Sequence, residues 1–327
     1  MTFDTIKLDK GLYTSNKGFT RALEEIDPSE NYIGTELEGL DAYERQLKRF
    51  DIKVKGANSD TISKFFQTSD SAALFPEYVS RAVRTGLTNN ILDDLVATTT
   101  IIDSLDYRSI ECVESEKVTD GRDFINEGTY IPETVIKTNS NLTQLHKVGR
   151  SLVASYEALK SQRLDLFTVS LGQIGNYIAS CETMQAINTL LGATKSLDYA
   201  GDEIAYADLI EMWKSLAPYE MNTLIAEGDN VTKILQMSEF KDSYAGQNFH
   251  ATGQLATPVG AKLVYSPTNI LSGKVIAIDK RYALEKVQFG DIVTDFDKLI
   301  DRQLERATIT LTSGFNRLID GACVIAS

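Results

Sequence analysis

Four aspartates crowd into the stretch GDIVTDFDKLID, at Asp291, Asp295, Asp297 and Asp301. Clustered carboxylates are what a hard divalent cation seeks, because it takes oxygen ligands. Lys298 and Arg302 are interleaved with them, and that mixture reads as a solvated strand edge. Asp93 and Asp94 are adjacent, so on a helix they point apart and do not form a paired acid and base. The chain has two histidines, His146 and His250, and a Ser or Cys nucleophile of the usual kind needs one as its base. His146 stands beside Lys147 and His250 in a glycine-containing loop, so both read as surface or loop residues. Cys112, Cys181 and Cys323 lie far apart, an odd count that suits neither a disulfide framework nor a zinc site. The GQIG run at Gly172–Gly175 sits inside a helical pattern, not after a strand, and is no phosphate loop. Arg81 and Arg84, at helical spacing, could meet an acidic neighbour or a phosphate, though a solvated helix face is the simpler reading. Trp213 reads as core. No residue set calls for a metal or a cofactor, and none is assigned a catalytic role.

The totals narrow the classes further. A net charge of −13 on 327 residues argues against sequence-independent nucleic-acid binding and against an anionic membrane surface. The same charge keeps identical copies apart in solution until they meet. Residues 166–181 form the most apolar stretch, yet they carry Ser, Thr, Gln, Asn and two Gly, too polar and short for a bilayer. The start, MTFDTIKLDKGLY, lacks the apolar core of a signal peptide. With ordinary apolar content of 43%, a sizeable core is expected, in a soluble protein with a reduced history.

The elements that would position these residues come in mixed order. Residues 1–70 are polar and broken by turn signals such as DKG, SNKG and DPSEN. One helix is expected there, over TELEGLDAYERQLKRF, with Leu37, Leu40, Tyr43 and Leu47 on one side. The segment is too thin for a core of its own and is expected to lie on something else. A helix beginning near Pro76 follows, then β-branched sequence from residue 98. Residues 163–191 carry the longest periodic stripe: Phe167, Leu171, Ile174, Ile178, Cys181 and Ile187. Ser161 is a candidate N-cap and Gly192 a candidate C-terminal glycine. Gly172 and Gly175 each cost a helix about 1 kcal/mol against alanine, which close approach of a neighbour would offset. Farther on come helical YADLIEMWKSL and DNVTKILQM, short buried strands in MNTLIAE, AKLVYSP and KVIAIDK, a loop over residues 241–260, and a strand-rich end. The class is α+β.

One stretch is left without a partner. In EGTYIPETVIKTNSN, Tyr130, Ile131, Val135 and Ile136 call for burial, and the threonines favour a pleated chain. Pro132 cannot donate to a ladder, so an edge or a protruding hairpin is expected. Something outside the hairpin has to cover it.

In order, these segments resemble the major capsid protein of tailed bacteriophages, the Hong Kong 97-type fold, from about residue 71 onward. LFPEYVSRAV resembles the entry from the N-terminal arm (1–70) into the shell, with 71–110 as entry helix and strand. Residues 111–145 stand where that family has its extended E-loop. Residues 146–195 and 283–316 resemble the peripheral domain with its spine helix, carried by LVASYEALKSQRLDLFTVSLGQIGNYIASCETMQAINTLLG. Residues 196–282 and 317–327 resemble the axial domain, with Thr257, Pro258, Val259 and Gly260 at its turn.

The resemblance implies a structural protein, not an enzyme. It implies copies assembled as hexamers and pentamers into an icosahedral or prolate head, with scaffold and portal proteins as partners. Packaged double-stranded DNA would be enclosed without sequence-specific binding, in a virion assembled in the host bacterial cytoplasm, with no membrane and no cofactor. The E-loop would lie across the adjacent subunit, which would cover Tyr130, Ile131, Val135 and Ile136, and the N-terminal arm would lie on a different neighbour. A cross-link of the family's kind would fall on Lys137 and Asn316. Met1 at the start implies a retained arm. An encapsulin-like nanocompartment shell shares the fold, and a monomeric hydrolase or binding protein is the alternative from another class.

Overall fold

The computed structural model describes residues 3–13, 18–87, 91–114, 127–128, 134–155, 157, 161–201, 203–241, 260–267, 269–299 and 304–327. Along the chain come helices α1 (Phe19–Ile26), α2 (Ala42–Arg49), α3 (Ser69–Ala72) and α4 (Phe75–Leu87), then strands β1 (Thr98–Ile102), β2 (Ile110–Glu114), β3 (Thr134–Thr138) and β4 (His146–Ser155). Helix α5 (Leu164–Leu190) precedes β5 (Ser196–Leu197), α6 (Tyr206–Ser215), β6 (Thr223–Ala226), α7 (Gly228–Gln236) and α8 (Ser238–Lys241). The chain closes with β7 (Lys262–Tyr265), β8 (Val275–Ile278), β9 (Leu284–Leu299), β10 (Leu304–Arg317) and β11 (Cys323–Ala326). Among the described residues the strands form the sheets β1-β9-β10-β4 and β5-β11-β8-β6-β7 and the pair β2-β3.

Two compact units form, the first from residues 1–90, 147–179 and 291–311, the second from 91–146, 180–290 and 312–327. In the first, the N-terminal segment does not wait for another copy. Ile6, Leu8, Phe19, Leu23, Tyr43, Ile52, Ile62 and Phe65 share one core with Val79 and Val83 of α4 and Phe167 and Leu171 of α5. The segment lies on other elements, as expected, but on α4 and α5 of the same chain and not on the neighbour that the resemblance implied. A polar hub that composition does not reveal ties it together. Arg45 is fully buried, its Nε 2.9 Å from Asp27 Oδ2, and it also donates to Ser29 Oγ at 2.8 Å and the Leu40 carbonyl at 2.7 Å. A buried guanidinium is tolerable only when its donors are met in this way. The expected helix over 35–50 is shorter than its apolar spacing suggests. Asp41 caps it, accepting from the Glu44 amide at 2.8 Å while Glu44 reaches back, and this capping box starts α2 at Ala42.

Of the two glycines of α5, α4 explains Gly175, whereas a side chain at Gly172 would meet nothing within 4 Å. A Cβ on Gly175 would fall on the Val83 carbonyl and 3.0 Å from the Gly86 Cα, and one on Gly86 would fall on the Gly172 carbonyl. The two helices therefore cross backbone to backbone. Ser161 does not cap α5; its hydroxyl donates to the Glu157 carbonyl at 3.0 Å.

In the second unit, β6, β8 and β11 are buried on both faces. Their side chains alternate between two cores with the period of two that a strand imposes. Leu224, Val275, Ala277 and Val324 meet Leu209 and Met212 of α6 and Val231 and Ile234 of α7. Ile225, Ile276, Ile278 and Ile325 meet Ala186, Ile187 and Leu190 of α5. Strand β6 runs parallel to β7 and antiparallel to β8. Arg317 finishes the end of α5, its Nη1 3.4 Å from the Thr189 carbonyl and 2.6 Å from where a Gly192 side chain would start.

Candidate assembly ribbon

Strands β2 and β3 pair antiparallel, Ile110 opposite Thr138 and Val113 opposite Val135, as a sheet of their own. Val135 and Ile136 are 43% and 66% exposed, and Ile110 is 51% exposed. Neighbouring residues on a strand point to opposite faces, so both faces of this ribbon carry uncovered apolar side chains. A lone two-stranded ribbon is marginal in water. Tyr130, Ile131 and Pro132 lie outside the described residues.

The base of the ribbon is built from side chains that sequence reasoning missed. The Glu285 carboxylate on β9, itself buried, accepts from Thr100 Oγ1 at 2.6 Å, from the Tyr107 hydroxyl at 2.7 Å and from Ser109 Oγ. Ser109 is the residue before β2. Burial, followed by the hydrogen bond to Glu285, raises the pKa of Tyr107 and keeps it a donor. On the other leg the Asn139 amide donates to the Ser109 carbonyl at 2.8 Å, and the Thr143 amide to the Tyr107 carbonyl at 2.9 Å. Asn316 Nδ2 on β10 donates to Thr143 Oγ1 at 2.7 Å. That side chain, set beside Lys137 as a cross-link candidate, thus has a structural partner within the chain, while Lys137 is exposed on β3. No local signal in the sequence joins positions 100, 107, 109 and 285.

The other candidates disperse. Asp291 pairs with Arg84, and Asp297 with Arg306 at 2.9 Å. Asp295 is exposed, and Asp301 lies outside the described residues. No metal-binding group of three or more His, Cys, Asp or Glu occurs among the described residues. Arg81 is not a solvated residue. It bridges to Asp41 at 2.7 Å and Glu77 at 3.0 Å and lies over the Tyr43 ring at 4.3 Å. Trp213 is not core either, being 52% exposed on α6 with Ile210 beside it at 44%. Asp94 pairs with Lys262 at 2.7 Å. His146 is exposed at the start of β4, and His250 lies outside the described residues. Burial pushes the Cys323 thiol up to about 12, too high for a thiolate nucleophile near neutrality. Cys181 is a free, half-buried thiol, and Cys112 lies in β2. Among the described residues no helix is long and apolar enough to cross a membrane.

No family model matches the sequence, and no curated protein matches it. The structure does have relatives. A virus-like particle from Pyrococcus furiosus aligns at TM-score 0.52 and 15% identity, over 77% of this chain and 98% of that one. The capsid of cyanophage P-SCSP1u aligns at 0.51 and 12%, over 72% and 87%. The holo encapsulin complex from Synechococcus elongatus aligns at 0.50 and 13%, over 72% and 86%. All three are shell proteins, and none is an enzyme by its description. Mixed sheets, a 27-residue helix and a separate two-stranded ribbon on an α+β chain are the Hong Kong 97-type capsid and shell fold.

Proposed function

We propose that this chain is the major capsid protein of a tailed phage or prophage, assembling with itself into the head shell around packaged double-stranded DNA. The observation that carries the reading is the ribbon: Ile110, Val135 and Ile136 are uncovered in the single chain, on a fold shared with shell proteins. Their burial on a sister copy would stabilise each contact by about 1.5–3 kcal/mol per side chain. Repeated across closed symmetry, such contacts suffice to hold a particle. In this reading 1–70 is the N-terminal arm, 71–110 the entry helix and strand of the peripheral domain and 111–145 the E-loop. Residues 146–195 and 283–316 form the peripheral domain, with 196–282 and 317–327 axial. Hexamers and pentamers would form with scaffold and portal proteins during assembly in the host cytoplasm. A charge of −13 suits a container that should not clamp its contents.

A nanocompartment shell is the second reading, favoured by the encapsulin match. Light scattering after size exclusion, with electron microscopy of the product, tests both. Particles far above the 36.2 kDa subunit are expected, and removing residues 127–138 is expected to leave a folded but unassembled chain. Heads of phage size favour the first reading, and small uniform shells loaded with protein the second. A lone subunit at every salt concentration rejects both.

A further inference from the structure

A projecting ribbon can serve assembly only if it leaves the subunit in a defined direction, and two neighbouring strands hold its two legs. On the first leg, Ser109 and Tyr107 hang from Glu285 of β9, beside Thr100 of β1. Glu285 and Ser109 are both buried, so water does not compete for the bond between them. On the second leg, Thr143, also buried, hangs from Asn316 of β10. There the backbones nearly touch, since a Cβ on Gly314 would fall on the Gln144 carbonyl and 3.1 Å from Leu145 Cδ2. β9 and β10 are adjacent in their sheet. A single attachment would leave the ribbon free to swing, and two on neighbouring strands remove that freedom.

We propose that Glu285 and Asn316 are positioning residues that set the direction in which the β2–β3 ribbon leaves the sheet, and through it the competence of the chain to assemble. The proposal rests on the shell reading for its second half, but not for its first. An ionised carboxylate can accept all three hydroxyl hydrogens, with two oxygens and about four lone-pair sites. An amide in its place offers one oxygen and turns its other end into a donor, so at least one of the three hydroxyls loses the acceptor for its proton.

The test is Glu285→Gln in the full chain, with Ser109→Ala as a second variant that leaves β9 untouched should the first fail to fold. Hydrogen exchange is read below the assembly concentration at the Asn139 and Thr143 amides and, as internal control, at amides of β8 and β11. Exchange at the two ribbon amides should quicken by about tenfold or more while the control amides hold. The concentration needed for particles should rise by a similar factor, with far-UV circular dichroism unchanged. Equal quickening everywhere would mean that Glu285 is merely structural and would overturn the proposal. So would unchanged exchange at Asn139 and Thr143. If the unsubstituted chain never assembles, the shell reading fails, and the exchange comparison still decides whether Glu285 orients the ribbon.

Discussion

The five-stranded sheet and the two-stranded ribbon use nearly the same alphabet. TLIA, VIAI and CVIA form β6, β8 and β11, and TVIKT forms β3. In the sheet every one of these side chains is covered, by α6 and α7 on one face and by α5 on the other. In the ribbon Val135 and Ile136 lie on opposite sides, and both stay exposed among the described residues. Strand propensity is alike in both regions, so propensity does not explain the difference. What differs is whether the chain supplies helices to cover the faces. A sheet that brings its own cover is complete within the chain, whereas a two-stranded ribbon without one is marginal in water.

The largest effect should come from charging the ribbon. Val135→Asp with Ile136→Asp is expected to leave a folded subunit and raise the concentration needed for particles by at least about a hundredfold, read by light scattering. If particles form as before, the ribbon is not the contact. Next, the same truncation can be placed in each region. Ile276→Ala should cost about 2–5 kcal/mol in denaturant unfolding, because it opens a cavity between the sheet and α5. Ile136→Ala should shift the unfolding of the isolated subunit by less than about 0.5 kcal/mol and should weaken assembly. Equal destabilisation by the two would erase the distinction.

The smallest expected effect lies at the turn after β8. Burial raises the pKa of Asp279, but bonds from Arg281, the Glu220 and Arg281 amides and Asn222 outweigh it and hold the group at about 2. Its ordinary value is 3.8, so the unfolded chain binds the proton more readily. The stabilisation is complete above about pH 4 and fades as the pH falls toward 2. Asp279→Asn should therefore flatten part of the acid slope of unfolding stability. A slope unchanged in the variant would place the acid sensitivity elsewhere.

Much of this architecture was legible beforehand. Period 3.6 marked α5 to within a residue at each end, and unbroken apolar runs marked β6 and β8. Gly175 announced a close helix crossing, while Gly172 has open space beside it. These signals are local, since a helix stripe or a strand run depends on residues a few positions apart. The misreadings were all of a different kind. The resemblance put residues 1–70 on a neighbouring copy, whereas they complete a core with Val79, Val83, Phe167 and Leu171, far along the same chain. Trp213 read as core because a single aromatic on an amphipathic helix gives no hint of which side the neighbours occupy.

Composition and periodicity were enough to establish an α+β chain of ordinary apolar content and acidic net charge. They also singled out residues 127–141 as apolar sequence with nothing to rest on. Where each element lands was settled in three dimensions. Glu285 meets Thr100, Tyr107 and Ser109 across separations of 176 to 185 residues, and Arg45 finds Asp27 only once α1 and α2 have packed. Hydrogen bonds and ion pairs of that reach follow from chain topology, on which the spacing of residues along a sequence carries no direct information.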